Sequence, residues 1–136
     1  MPLVVWTDKL SVGVASIDKQ HQKLVGLLND FYDAVQLGRG KEALGGLLGE
    51  LIDYTKVHFA TEERLFAKTG YPDAAAHKKA HDELTQQVLE IQEKYNTGVT
   101  LTLSLETLTF LKNWLVNHIQ ATDKRYGPHL VSKGIR

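Results

Sequence analysis

The chain has 136 residues, 16 basic against 16 acidic side chains, six histidines and no cysteine. That length predicts one domain over residues 1–136 with a core that needs no staples, and the missing cysteines exclude disulfide scaffolds, zinc fingers, iron–sulfur clusters and thiol catalysis. Zero net charge argues against nucleic acid as a partner, no apolar run approaches the ~20 residues of a membrane helix, and without a signal-peptide pattern the expected setting is the cytoplasm.

An irregular lead segment runs to about Ala15, where Ser16 is the expected N-cap and Asp18 faces the positive end of the first helix. Ile17, His21, Leu24, Leu28, Phe31 and Val35 then advance by threes and fours along one helix face, over about 17–37, and Gly38 and Gly40 stop it. The second pattern, over about 41–69, reads Leu44, Leu48, Leu51, Thr55, His58, Glu62 and Leu65, and Gly70 with Pro72 closes it. Gly45, Gly46 and Gly49 weaken its start by about 1 kcal/mol each relative to alanine, which fits either a close helix contact or a frayed first turn. The third, over about 73–95, reads His77, His81, Leu84, Val88, Ile91 and Tyr95. Val99 to Leu103 is β-prone and is expected to form a short turn or loop. The fourth, over about 104–126, reads Leu108, Leu111, Leu115, His118 and Thr122, with Gly127-Pro128 expected to end it. Four amphipathic helices with short connections predict an all-α, antiparallel up-down-up-down four-helix bundle behind the irregular lead segment.

Five histidines, at 21, 58, 77, 81 and 118, take positions where the periodicity asks for an apolar residue, and so does Glu62. One core histidine is usually a hydrogen-bonded structural residue. Five with a carboxylate would cost several kcal/mol each without partners, and metal ions are the simplest partner they could share. His58 and Glu62 are i, i+4, as are His77 and His81, so each pair projects from one helix face. Asp123 follows His118 by five residues and reaches the same centre only if the last turn loosens. Seven ligands exceed the four of a tetrahedral zinc, whereas two metals bridged by the carboxylates would use them all. The His-Glu-x-x-His of zinc proteases is absent, as is the Glu-x-x-His of carboxylate-rich di-iron proteins. His129, beyond Gly127-Pro128, reads as a surface or tail histidine, and Gln20 and Glu63 read as solvated neighbours of the ligands.

Taken together, Trp6, Ile17-Asp18-Lys19-Gln20-His21, His58-Phe59-Ala60-Thr61-Glu62-Glu63, His77-Lys78-Lys79-Ala80-His81 and Trp114 through Pro128 resemble the hemerythrins, in particular their single-domain bacterial form. The resemblance implies two iron ions in an oxo- or hydroxo-bridged di-iron centre. His77, His81 and His118 would hold one iron and His21 and His58 the other, with Glu62 and Asp123 bridging. The second iron would keep an open position for dioxygen. Leu24, Phe59, Trp114, Leu115 and Ile119 would form a dry oxygen pocket that slows autoxidation, and Tyr126 would support the ligands from behind. Where the family commonly has Gly or Pro before the last ligand, this chain has Gln120-Ala121-Thr122, which leaves the path of that turn open.

The function so implied is reversible dioxygen binding at a non-haem di-iron site, for oxygen carriage, storage or delivery. It is a binding protein, not an enzyme, expected to be a monomer that passes oxygen to an oxygen-consuming protein. The alternative is an oxygen or redox sensor acting on a separate partner, since only a short tail follows the bundle. A third reading, a di-iron enzyme reducing peroxide or nitric oxide, would need a proton donor that the apolar pocket does not offer.

Overall fold

The computed structural model of the chain describes residues 3–98 and 103–136. A 3-10 turn, Asp8–Leu10, lies in the lead segment, followed by α1 (Ala15–Gln36), α2 (Gly40–Thr69), α3 (Ala74–Asn96) and α4 (Leu103–Asn117). A π segment, His118–Asp123, then joins α4 to α5 (Lys124–Ser132). The four long helices form an antiparallel up-down-up-down bundle. In it α1 packs on α2 and α4, and α2 packs on α3. The β-prone stretch falls mainly on residues 99–102, outside the described residues, and Leu103 already opens α4.

The apolar periodicity is spent on two separate cores. The larger is built around Leu24, Leu28, Phe31, Leu48, Phe59, Leu84, Leu111 and Leu115. The smaller gathers Val12, Val14, Ile17, Phe66, Tyr71, Tyr126 and Leu130 from the lead segment, three helices and the α2–α3 connection. Between them lies a layer of buried polar side chains.

Several boundaries differ from those expected, each for a local reason. Ser16 does not cap α1: Val14 precedes the helix in extended geometry and no side chain caps it. Asp18 instead reaches back, accepting from the Val12 N–H at 2.9 Å and the Ser11 hydroxyl at 2.5 Å. That ties the lead segment to the first turn, where a carboxylate also meets the helix dipole favourably. Further back, Asn29 pairs with both backbone groups of Val4, accepting from its N–H at 2.9 Å and donating to its carbonyl at 2.8 Å. Gly40 does not end α1 but begins α2, buried where a Cβ would lie 2.9 Å from Val35. Gly70 ends α2 in the left-handed region, φ 69°, which glycine enters at no steric cost.

The three early glycines of α2 sit in continuous helix and divide by environment. A Cβ on Gly45 would touch the Tyr95 ring at 3.0 Å, a close contact with α3, while Gly46 and Gly49 face open space. Gly127-Pro128 does not stop the last helix, which runs on to Ser132. Proline removes only one donor, and the helix continues because Tyr126 and Leu130, both fully buried, hold it in the smaller core. Gly127 is there for proximity. A Cβ at this position would lie 2.2 Å from the Val12 carbonyl oxygen. His129 consequently belongs to α5, half-buried, with Nε2 3.0 Å from the Thr69 carbonyl and its ring against Tyr71.

No helix among the described residues is long and apolar enough to cross a membrane.

Candidate metal centre

All four long helical stretches contribute to the polar layer. α1 supplies His21, α2 His58 and Glu62, α3 His77 and His81, and the π segment His118 and Asp123. The i, i+4 pairs lie along one face of α2 and of α3, as helix geometry requires. His118 and Asp123 are five apart, a spacing that turns about 140° beyond a full α-helical turn. The π segment absorbs much of that excess, because its wider i→i+5 hydrogen-bonded turn brings residue i+5 back toward the face of residue i. Asp123 Oδ1 thereby comes 2.9 Å from His118 Nε2.

The seven side chains are enclosed: Glu62 and Asp123 have no exposed surface and His118, the most open, retains 7%. Glu62 Oε1 is 2.5 Å from His58 Nε2 and 3.7 Å from His81 Nε2, while its Oε2 is 3.2 Å from His77 Nε2. Asp123 Oδ2 is 2.9 Å from His21 Nε2, and its Oδ1 is 3.0 Å from His77 Nε2. Each carboxylate therefore touches imidazoles on more than one helix.

These approaches are short, but most lack hydrogen-bond geometry. His21 Nε2, His77 Nε2, His81 Nε2, His118 Nε2 and all four carboxylate oxygens are buried without a hydrogen-bond partner. Such orphans cost about 1–3 kcal/mol each, more when charged. So many unpartnered nitrogens and oxygens gathered in one buried layer suit a cation. Two sets of ligand atoms lie within 4.8 Å: His77, His81, His118 and Asp123 form one, and His21, His58, Glu62 and Asp123 the other. Asp123 belongs to both. Imidazole and carboxylate donors in this mixture fit a first-row metal such as iron.

The protein's own charges are already arranged around a positive centre. For Glu62, burial and the Asp123 charge raise the pKa, but the His58 and His77 imidazoles overcome them and hold it at about 2. Asp123 is likewise held well below the carboxylate range: burial raises it, and His118, His21 and His77 outweigh that. Burial would lower His77, but Asp123 and Glu62 on either side push it up to about 9. At His81 burial dominates and takes the pKa down to about 3, which leaves a neutral ring with one nitrogen lone pair free.

Around this layer the larger core closes tightly. Phe59 stacks on His81, with centroids 3.7 Å apart and planes 5° from parallel, and Trp114 stacks on His118 at 4.3 Å. A cavity of about 30 Å³ opens in the larger core, lined by none of the seven side chains but walled in part by Phe59 and Trp114, which stack on two of them. Leu24, Phe59, Trp114 and Leu115 line it, with Thr55, Leu84 and Leu111 among the other walls. Ile119 is buried in the same core but does not line the cavity. Those additional wall residues look in the sequence like any helix-core positions, so spacing alone gave no means of singling them out.

Tyr126 stands on the opposite side, in the smaller core, its ring 5.4 Å from His77. Burial, then the Glu62 and Asp123 charges, push its phenol well above the ordinary value.

Gln20 and Glu63 differ from expectation. Both are half-buried. Gln20 Oε1 lies 2.6 Å from His58 Nδ1, and Glu63 Oε2 lies 3.8 Å from His81 Nδ1. Each stands behind an imidazole whose other nitrogen faces the polar layer. The available signal was adjacency: Gln20 precedes His21 and Glu63 follows Glu62, so each occupies a ligand helix at the seam with its neighbour.

Residues 12–130 match the family model described as the Hemerythrin HHE cation binding domain. Among sequence relatives, a bacteriohemerythrin of Stenotrophomonas maltophilia (strain R551-3) is 38% identical over 126 residues, 93% of this chain and 80% of that protein. A bacteriohemerythrin of Methylococcus capsulatus (Bath) is 38% identical over 131 residues, 96% of this chain and 98% of that one. A solved wild-type hemerythrin superposes with a TM-score of 0.85 at 37% identity, covering 94% of this chain and 98% of its own.

Proposed function

Because the chain belongs to the hemerythrin family, we propose that it binds dioxygen reversibly at two iron ions, for oxygen carriage, storage or delivery. His77, His81 and His118 would hold one ion and His21 and His58 the other, with Glu62 and Asp123 shared between them. The observation that carries this reading is the convergence of orphaned, buried imidazole nitrogens and carboxylate oxygens into two overlapping sets. A ferrous pair, when bound, supplies the two electrons that reversible dioxygen binding takes up and gives back.

The remaining work falls to the protein. Glu62 and Asp123, ionised in the buried layer, offset the positive charge that two cations bring into a low-dielectric core. The bundle presents five imidazoles from four helical stretches, so each helix position constrains the others. Phe59 and Trp114 pack flat against ligand rings and hold their planes. The apolar cavity that Phe59 and Trp114 help to wall is large enough for a diatomic molecule and offers water almost no polar partner, so it stays dry. Excluding water there removes the nearest source of protons and slows irreversible oxidation.

The test is a visible spectrum of the protein loaded with ferrous iron under anaerobic conditions, followed through one cycle of air and vacuum. An oxygenated spectrum that forms in air and reverses under vacuum supports the proposal. Immediate, irreversible oxidation with no oxygenated spectrum rejects carriage.

A further inference from the structure

Thr61, Gln20 and His58 form a hydrogen-bonded chain from the edge of the bundle to the ligand layer, and its direction can be deduced. The Thr61 hydroxyl donates to the Val57 carbonyl at 2.9 Å, one turn earlier in α2. Its proton is thus committed, and towards Gln20 the oxygen can only accept, which it does from Nε2 at 3.3 Å. That leaves Gln20 Oε1 facing His58 Nδ1 at 2.6 Å. An amide oxygen cannot donate, so Nδ1 must carry the hydrogen. In the neutral ring, Nε2 is then the nitrogen whose lone pair is available to a metal, and it is the one that faces Glu62.

We propose that Gln20, anchored by Thr61, is a positioning residue for the metal centre: it fixes the orientation and tautomer of His58 so that Nε2 is presented to the metal. This deepens the metal-binding reading above and rests on it. Were the amide reversed, Nε2 would keep its proton and His58 would be a donor toward Glu62 instead of a ligand. The chain spans two helices, Gln20 on α1 and Thr61 and His58 on α2. The packing of α1 on α2 therefore sets a protonation pattern inside the layer. The partner is a neutral amide, whereas His81 has the Glu63 carboxylate on its corresponding side. At 3.8 Å that carboxylate makes no hydrogen bond, and His81 Nδ1 is left without a partner, so the two metal positions receive unequal support from the protein.

The experiment compares the parent with Gln20→Leu, Thr61→Val and Gln20→Glu, using two readouts. Ferrous iron affinity is measured anaerobically by competition with a chelator. Exchange of the His58 Nδ1–H is followed by NMR in the metal-free protein. Gln20→Leu should lose the slowly exchanging Nδ1–H and bind one of its two iron equivalents about 10–100-fold more weakly. Thr61→Val should move both readouts the same way by less. Gln20→Glu retains an acceptor, so it should keep the protected Nδ1–H and restore affinity while shifting the reduction potential of the loaded protein downward. Parent-like iron affinity in Gln20→Leu overturns the proposal, whether or not Nδ1–H protection is lost. A parent that binds no iron refutes the metal-binding reading instead, and Nδ1–H exchange still decides whether Gln20 orients the ring.

Discussion

Glycine-to-alanine substitution should have opposite signs at two helical positions, and the structure supplies both magnitudes. Alanine is favoured over glycine inside a helix by about 1 kcal/mol. At Gly46 nothing lies within 4 Å of the added Cβ, so Gly46→Ala should gain that amount. At Gly127 the new Cβ would lie 2.2 Å from the Val12 carbonyl oxygen and 3.2 Å from its carbon. Ordinary contact is restored only if one backbone retreats by about 1 Å, in a core where such gaps and clashes are both costly. Val12 cannot withdraw freely, because Asp18 holds its N–H and the fully buried Val14 follows two residues on. Overpacking of this kind costs about 1–3 kcal/mol, and a backbone obstacle belongs at the upper end. After the gain in helix propensity, Gly127→Ala should lose about 2 kcal/mol. The two variants should therefore differ by about 3 kcal/mol, which at a urea m-value of about 2 kcal/mol/M separates their midpoints by about 1.5 M. Equilibrium urea unfolding of the metal-free proteins reads this directly. Midpoints that move in the same direction would refute the claim that close approach, and not helix termination, is the reason for glycine at 127.

Three further expectations concern the metal layer and the lead segment. Iron analysis of the loaded protein should give about two atoms per chain, and a chelator should lower the urea midpoint because metal binding contributes folding free energy; full occupancy by one iron or by zinc would count against the paired site. Metal-free protein should be most stable near pH 6.5. Below that, His81, held at about 3 against an ordinary 6.5, binds its proton only on unfolding, and Glu62, at about 2 against 4.5, adds to the loss under pH 4.5. Above it, the stabilisation from His77 protonation fades as pH rises through about 9, so a urea midpoint rising steadily from pH 5 to 9 would contradict these environments. Asn29→Ala removes both hydrogen bonds to Val4 and should cost about 2 kcal/mol, with limited proteolysis cutting the lead segment first; unchanged cleavage there would show that the pairing does not hold it.

The bundle was legible because its helices are long and strongly patterned, and the polar interruptions of the pattern are themselves periodic. His58 with Glu62 and His77 with His81 announce a shared face without any coordinates. What the sequence hid was of two kinds. Contacts between backbones leave no side-chain signature, so Gly127 looked like a helix stop when its role is to let α5 lie against Val12. Interactions at the flank of a helix face are also invisible to periodicity. Gln20 falls off the inward stripe of α1 yet meets His58 because α2 packs alongside. The smaller core was obscured for a related reason, since Val12, Tyr71 and Leu130 come from parts of the chain with no common period.

The π segment also bears on chain length. Over the same rise a π turn holds one residue more than an α turn, so His118–Asp123 stores a surplus residue within an otherwise continuous helix. Removing one residue between Gln120 and Thr122 would let the helix relax to regular pitch while Tyr126 and Leu130 kept facing the smaller core. The same deletion in the middle of α2 would rotate every later side chain by about 100° and scatter its buried stripe. A single-residue gap is thus absorbed by the bundle at one ligand-bearing turn and ruinous in its longest helix. Relatives of different length could align here without any change of architecture.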